Sequence, residues 1–287
     1  MQDLPPPPVG CPADWLVPDW PVPENVRAVF TTRADGVSGA PYDSMNLGDH
    51  VGDEPARVLA NRALLQRAIG ARPVFLQQVH GNAVLTLDAA SADGQPADAS
   101  VTLQRQLACT IMAADCLPVL LSTEAGDVVA AAHAGWRGLA GASLDLRGNG
   151  VLDSVYASFM ALAQQGRAQS AIKTIAWLGP CIGPSAFEVG VEVRAALVAM
   201  QPEAKRFFVA LAPGNATGER KYLADLPGLA RLRLQSLGIT QIYGNDGTAP
   251  WCTAGNPSRF FSHRRDAAIP GNGFGTTGRM AACIWLD

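Results

Sequence analysis

Histidine is scarce in this chain of 287 residues: there are four, against 22 lysines and arginines and 25 aspartates and glutamates. Charged residues make up only 16%, and the formal net charge is -3. No basic run interleaves with aromatic side chains, so the electrostatic footprint of a nucleic-acid surface is missing. No apolar stretch approaches the roughly 18–20 residues of a membrane-spanning helix. The opening MQDLPPPPVG lacks the basic and apolar regions of a secretory signal. Six cysteines, at 11, 109, 116, 181, 252 and 283, form no CxxC pair, and a chain this long needs no disulfide staples. A reduced, cytoplasmic protein is expected, with small molecules as partners. Neither GxGxxG nor GxxxxGKS/T occurs, so Gly135, Gly138 and Gly141 are read as serving tight backbone geometry. There is no internal repeat.

What is present is ordinary globular composition, 48% hydrophobic. Residues 1–25 read as a Pro-rich, stiff lead-in, and 26–287 as a single domain with no linker-like break. VRAVFTTR predicts a strand. ADGVSGAPYDSMNLGDHVGD is a loop with no apolar period, long enough to suggest a functional or disordered segment. EPARVLANRALLQRAIG predicts a helix, with Val58, Leu59, Leu65 and Ile69 on one face and Gly70 as its stop. PVFLQQVH, AVLTLD, ASVTL, LACTIMAADCLPVLLS and DVVAAAHAG read as a mainly antiparallel group of strands. Helices are expected at DSVYASFMALAQQG, GVEVRAALVAM and LPGLARLRLQSLG. Strands are expected at IKTIAWLGP, RFFVAL, ITQIYGN, FFSHRRD and RMAACIWLD. Clustered strands without strict βαβ alternation favour an α+β fold, with helices on the outer faces of packed sheets.

Three donors share one local context. His80 in LQQVHGN, Cys116 in MAADCLPVLL and His133 in AAAHAGWRG each end or interrupt an expected strand, with glycine or proline close behind. The gaps between them are too wide for a finger-type site, where ligands come in close pairs. They suit strand ends converging at a sheet edge. Two imidazoles and a thiolate would hold Zn²⁺ and leave a fourth position open. Two other readings stand beside this one. The residues could be a buried free cysteine and two hydrogen-bonded core histidines. Alternatively, Cys116 and His133 could be a nucleophile and its base without metal, oriented by Asp115 or Gln78.

Further polar groups read as substrate handles. Arg33 follows the first strand, Asn46 sits in the long loop, and Arg137 follows the Gly-Trp turn. His263, Arg264, Arg265 and Arg279 lie near the C-terminus. Arginines at strand ends suit a phosphate, because the planar guanidinium engages two oxygens at once. Surface ion pairing is the competing reading for each. Asp115, next to Cys116, reads either as an acid or orienting group or as a carboxylate capping backbone amides. His50 reads as solvated.

QQVHGN, ADCLPVLL, AAHAGWRG, GPCIGPSAFEVG and FFSHRRD…TGRMAACIWL, in that order, resemble the laccase-domain family. This family is also described as YfiH-like polyphenol oxidases or purine nucleoside phosphorylases. The resemblance runs from about Val26 to Leu286. It implies a four-layer α/β/β/α sandwich related to the catalytic domain of cytotoxic necrotizing factor, and a metal bound through His80, Cys116 and His133. It also implies zinc-dependent phosphorolysis of adenosine, inosine and methylthioadenosine, with adenosine deamination beside it. Older descriptions of the family imply copper-dependent phenol oxidation, and some bacterial members are linked to peptidoglycan precursor editing. The chain departs from the pattern at an extra LDLRGNG, at AAIPGNGFGT, at Phe187 in place of a tyrosine, and at His263 where tyrosine is common. These departures bear on substrate preference and leave the three proposed ligands untouched.

Chemistry ranks the implied activities. A multicopper oxidase needs a His₂Cys copper and a further cluster held by many imidazoles. After His80 and His133, only His50 and His263 are left. Phosphorolysis fits the donor set better, because a zinc ion with an open position can bind an oxygen nucleophile. The HxE…PCxxC pattern of the zinc nucleobase deaminases is absent. The expectation is therefore a monomeric zinc enzyme acting on a purine nucleoside and phosphate. Cys116, His133 and Asp115 would be catalytic, and Arg33, Asn46, Gln78 and Arg137 would contact substrate.

Overall fold

The computed structural model describes residues 10–141, 149–165, 172–212, 220–269 and 276–287. The Pro5–Pro8 run and most of the LDLRGNG and AAIPGNGFGT segments lie outside the described residues.

Thirteen strands and six α-helices appear among the described residues, in a mixed α/β arrangement with three sheets. Four strands form one sheet in the order β1 (Val26–Phe30), β13 (Met280–Leu286), β5 (Leu107–Ala113) and β2 (Arg72–Phe75). Six form another, in the order β12 (Gln241–Gly244), β8 (Thr174–Leu178), β6 (Leu117–Thr123), β7 (Val129–Ala134), β4 (Ala99–Thr102) and β3 (Val84–Thr86). The third is short: β10 (Phe208–Ala210), β11 (Tyr222–Ala224) and β9 (Glu188–Val189). The helices are α1 (Pro55–Ile69), α2 (Trp136–Ala140), α3 (Val151–Ala163), α4 (Val191–Met200), α5 (Leu226–Ser236) and α6 (His263–Asp266). Among the described residues no helix is long and apolar enough to cross a membrane.

The two large sheets pack against each other. Phe30, Ile111 and Ile284 from one meet Leu120, Val129, Ala131 and Trp177 from the other. Outside the four-stranded sheet, Leu65 and Ile69 of α1 cover Phe75, Met112 and Trp285. Outside the six-stranded sheet, α3, α4 and α5 cover Val119, Leu121, Ala130 and Ala132. β5, β6, β7 and β13 are buried at every residue, which explains why their sequences run apolar without alternation. LACTIMAADCLPVLLS is not one strand. It is β5 of one sheet and β6 of the other, joined by a turn at Ala114–Cys116 that crosses between them.

The pairing is mainly antiparallel, but β2 with β5, β3 with β4 and β8 with β12 run parallel. Several expectations are corrected. FFSHRRD is not a strand: Ser262 accepts a hydrogen bond from the Arg265 amide and caps the short helix α6. The Gly-Trp-Arg-Gly segment is the start of α2 rather than a simple turn. Leu59 is 65% exposed, and Asn61 takes its place on the buried face of α1. Gly70 does end α1, in the left-handed conformation (φ 71°), its amide bonded to Gln66 O.

Asn61 also accounts for the long loop. Its Nδ2 donates to Ser38 Oγ, Ser44 O and Asn46 O at 2.8–3.1 Å, and its Oδ1 accepts from Val37 N. Side-chain amides, not apolar spacing, order this segment, so no hydrophobic period marks it. Upstream, Trp15 and Trp20 are buried and Leu16 pairs with Phe30.

Candidate metal centre

The site lies where the two large sheets meet. β2 ends at Phe75, and the chain continues as an extended segment whose Gln78 mimics a strand. Gln78 Nε2 donates to Met112 O (2.8 Å), and its Oε1 accepts from Met112 N (2.7 Å). This pins the next turn, where His80 adopts φ 61°. Cys116 follows Asp115 (φ 92°) in the crossover from β5 to β6. His133 is the penultimate residue of β7, opposite Pro118 of β6. It shares a face with Val129 and Ala131, which by strand alternation points toward the other sheet.

These three placements converge. The donor atoms of His80, Cys116 and His133 lie within 4.8 Å of one another. Cys116 Sγ is 3.8 Å from His80 Nε2, close to the about 3.6 Å that sulfur and nitrogen ligands span around tetrahedral zinc. The two imidazole rings meet edge to face with centroids 4.8 Å apart. His133 is buried, Cys116 half-buried and His80 exposed, so the cluster opens on one side to solvent.

Electrostatics prepares the thiol for this work. Burial alone would push the Cys116 pKa up, but the charge of His133 and hydrogen bonds from both histidines bring it down to about 6. Burial disfavours charge on His133 as well. Cys116 and Asp98 outweigh that and raise its pKa to about 9. Cys109 and Cys283, buried away from any cation, are instead pushed up to about 12.

Asp98, just before β4, has no counterpart in the sequence reading. It is fully buried and bonds the Nδ1 of His133 (2.8 Å) and the amides of Val79, His80 and Gly81. Its only sequence signal is an aspartate opening an apolar strand, which spacing does not single out. Gly135 was read as geometric, and its reason is now specific. A Cβ there would stand 2.9 Å from Cys116 Sγ and 3.3 Å from His80 Cδ2.

The other candidate residues are placed as follows. Asp115 accepts from Thr253 Oγ1 (2.5 Å) and Arg264 N (2.7 Å), and its carbonyl accepts from Ile182 N. Arg33 donates to Asp43 and to Pro257 O, and stacks 4.7 Å over Phe261. Asn46 is buried and bonds Gly48, Asp53 and the Arg279 amide. Arg137 is exposed and lies 4.4 Å over its neighbour Trp136. Arg279 packs on Gly48 and donates through Nη1 to Thr277 O and Gly278 O. Burial lowers the Arg279 pKa, against the nearby negative charges of Cys116 and Asp115. His263 opens α6; burial lowers its pKa, as does Arg279. His50 is exposed beside Asp49.

A mixed α/β domain with a His/Cys/His cluster at the junction of its sheets defines a class with known members. The chain belongs to the family described as multi-copper polyphenol oxidoreductase laccase, whose model matches residues 27–287. It is 44% identical over 274 residues to a Pseudomonas aeruginosa protein named purine nucleoside phosphorylase, covering 95% of this chain and 98% of that one. It is 45% identical over 273 residues to the Escherichia coli purine nucleoside phosphorylase YfiH, with 94% and 98% covered. The crystal structure of Neisseria meningitidis protein NMB0706 is similar with a TM-score of 0.78 at 43% identity, over 96% of this chain and 99% of that one. YlmD from Geobacillus stearothermophilus is similar at TM-score 0.74 and 30% identity, over 91% and 92%. Enzymes of the nucleoside phosphorylase kind are thus the chain's relatives. The multi-copper description meets a donor set with room for one metal ion at most: the cluster contains two of the four histidines, and His50 and His263 lie outside it.

Proposed function

We propose that the protein is a zinc-dependent purine nucleoside phosphorylase acting on adenosine, inosine or methylthioadenosine with phosphate, and deaminating adenosine at the same site. The observation that carries this is the convergence of the His80, Cys116 and His133 donors on a cluster with one open side. The two imidazoles and the thiolate suit zinc, and copper is the second metal the set would accept. Zinc bound there would supply a Lewis acid able to bind and polarise an oxygen ligand at neutral pH. The chain's own residues do the rest. Cys116 is held as a thiolate, His133 presents one nitrogen while Asp98 engages the other, and Arg279 brings positive charge beside the cluster. An anionic co-substrate suits that charge.

In the same reading, Cys116, His133 and Asp115 form the catalytic group, and Gln78 and Asn46 shape the pocket through the segments they pin. Arg33 and Arg137 contact substrate from its rim. We take residues 26–287 as the functional domain, layered as an α/β/β/α sandwich of the cytotoxic necrotizing factor type. The protein acts as a cytoplasmic monomer on small molecules, with neither nucleic acid nor membrane as partner. Incubation of purified protein with inosine and phosphate should release ribose-1-phosphate. Chelation should stop the reaction and zinc restore it. Turnover that persists at zero metal but vanishes in Cys116→Ser would overturn the reading.

That last outcome would favour a second reading, which one observation supports. The thiol–imidazole pair of Cys116 and His133 is poised as thiolate and imidazolium, the state a metal-free nucleophilic hydrolase uses. An amide substrate from peptidoglycan precursor editing would suit it. Copper-dependent phenol oxidation ranks third, because it needs donors beyond this cluster.

A further inference from the structure

Among the described residues, Asp98 has no solvent exposure at all, whereas Asp115, Asp153 and Asp266 keep 8–9%. A carboxylate taken wholly out of water is strongly unfavourable unless each oxygen is satisfied by donors. Asp98 has four. Oδ1 accepts from His133 Nδ1 at 2.8 Å and from His80 N at 2.9 Å. Oδ2 accepts from Gly81 N at 2.7 Å and from Val79 N at 3.1 Å. The backbone of Asp98 is fixed too. Its amide donates to Ala83 O (3.1 Å), and its carbonyl accepts from His133 N (2.7 Å).

Three successive amides aimed at one anion form a nest, and a nest needs a residue in the left-handed region. His80, at φ 61°, supplies it. A non-glycine residue is strained there, so something must over-determine the turn. The three amide bonds to Asp98 do so. The same carboxylate meets the imidazole of His133. An imidazole whose Nδ1 donates to a carboxylate keeps the lone pair of Nε2 free for a metal.

We propose that Asp98 is the positioning residue of the metal centre: it holds the His80 turn by its amides and fixes the tautomer of His133, so one buried carboxylate presents two of the three donors. This rests on the metal-binding reading above and adds to it a residue that touches no substrate. It makes the two histidine placements interdependent. Loss of the carboxylate disturbs both, while Cys116, set by the β5–β6 crossover, stays where it is.

The test is Asp98→Asn, which keeps size and removes charge. The new NH₂ must replace either Oδ1, facing His133 Nδ1 and His80 N, or Oδ2, facing Val79 N and Gly81 N, and in either orientation two partners meet a donor where they had an acceptor. Zinc affinity, measured by chelator competition, should fall about 10–100-fold, the usual consequence of losing a ligand's outer hydrogen-bond partner. The thiolate charge-transfer and d–d bands of the cobalt-loaded protein should shift. A purely structural aspartate would lower the melting midpoint but leave the metal affinity and cobalt spectrum of the folded protein alone. That result would overturn the proposal. Should D98N fail to fold, the wild-type protein decides. With ¹⁵N-histidine and ¹¹³Cd, the metal should couple to Nε2 of His133, with a proton on Nδ1. Coupling through Nδ1 would overturn the proposal. Wild-type protein that takes no divalent metal would overturn both this role and the proposed function. Zinc binding lost in D98N, with no nucleoside turned over by the wild type, would sustain the role and overturn only the function.

Discussion

His80 and His133 reach the same cluster from opposite circumstances. His133 is buried on a strand that is covered on both faces, and its neighbours Ala130, Ala131 and Ala132 let the sheets close around it. His80 is exposed, on a turn in a conformation that side chains rarely adopt. One histidine is held by packing; the other is held by hydrogen bonds to its backbone. The lesson is that a binding site can draw one donor from the protein's most rigid layer and another from its surface, provided a common group ties them together. Here that group is Asp98.

The largest effect should come from the donor that both histidines share. Cys116→Ser replaces a soft thiolate with a neutral hydroxyl. Zinc affinity should fall by more than the roughly 100-fold expected for an outer partner, and metal-dependent turnover should fall with it. Chelator competition and a phosphorolysis assay read both. The histidines should then part company in stability. His133→Ala leaves the buried Asp98 without its imidazole and should cost about 2–4 kcal/mol in urea unfolding. His80→Ala, at an exposed position, should stay within about 0.5 kcal/mol of wild type. Both should lose zinc. Equal destabilisation by the two would break the comparison.

Gly135→Ala tests the packing between the arms of the cluster. A methyl group 2.9 Å from Cys116 Sγ should overpack the site by about 1–3 kcal/mol and weaken zinc binding without removing a ligand. The smallest effect is one of pH. In metal-free protein, Cys116 is reactive as the thiolate above its pKa of about 6 and loses that reactivity as acid protonates it. Iodoacetamide should label Cys116 first at pH 7, and the rate should fall through half its plateau near pH 6. Cys109, Cys181 and Cys283, buried with raised pKa values, should stay unlabelled. A plateau reached only above pH 8 would show that the histidines do not stabilise the thiolate.

Some of this was legible along the chain and some was not, for identifiable reasons. α1 was legible through its glycine stop, and β7 and β13 through apolar runs that only a doubly covered strand tolerates. The break inside LACTIMAADCLPVLLS was not, because a crossover between sheets leaves the same apolar run as a single long strand. FFSHRRD carries β-forming aromatics, yet the Ser262 cap and the contacts of Arg265 with Thr253 O and Phe260 O turn it into α6. Asn61 and Asp98 hold the long loop and the His80 turn through side-chain hydrogen bonds to distant backbone, which leave no period to read.

By itself the sequence determined the donor chemistry: two imidazoles, one thiol, and glycine where the chain had to pass close to them. It also determined the apolar strands that would place those donors at strand ends. Only the tertiary structure decided that the ends of β2, β5 and β7 meet, and that the partner of His133 is Asp98 rather than Asp115 or Gln78. The physical reason is that a strand's own residues specify its burial, whereas its neighbours are chosen by the packing of two sheets. A buried carboxylate then has to find its donors wherever that packing has put them.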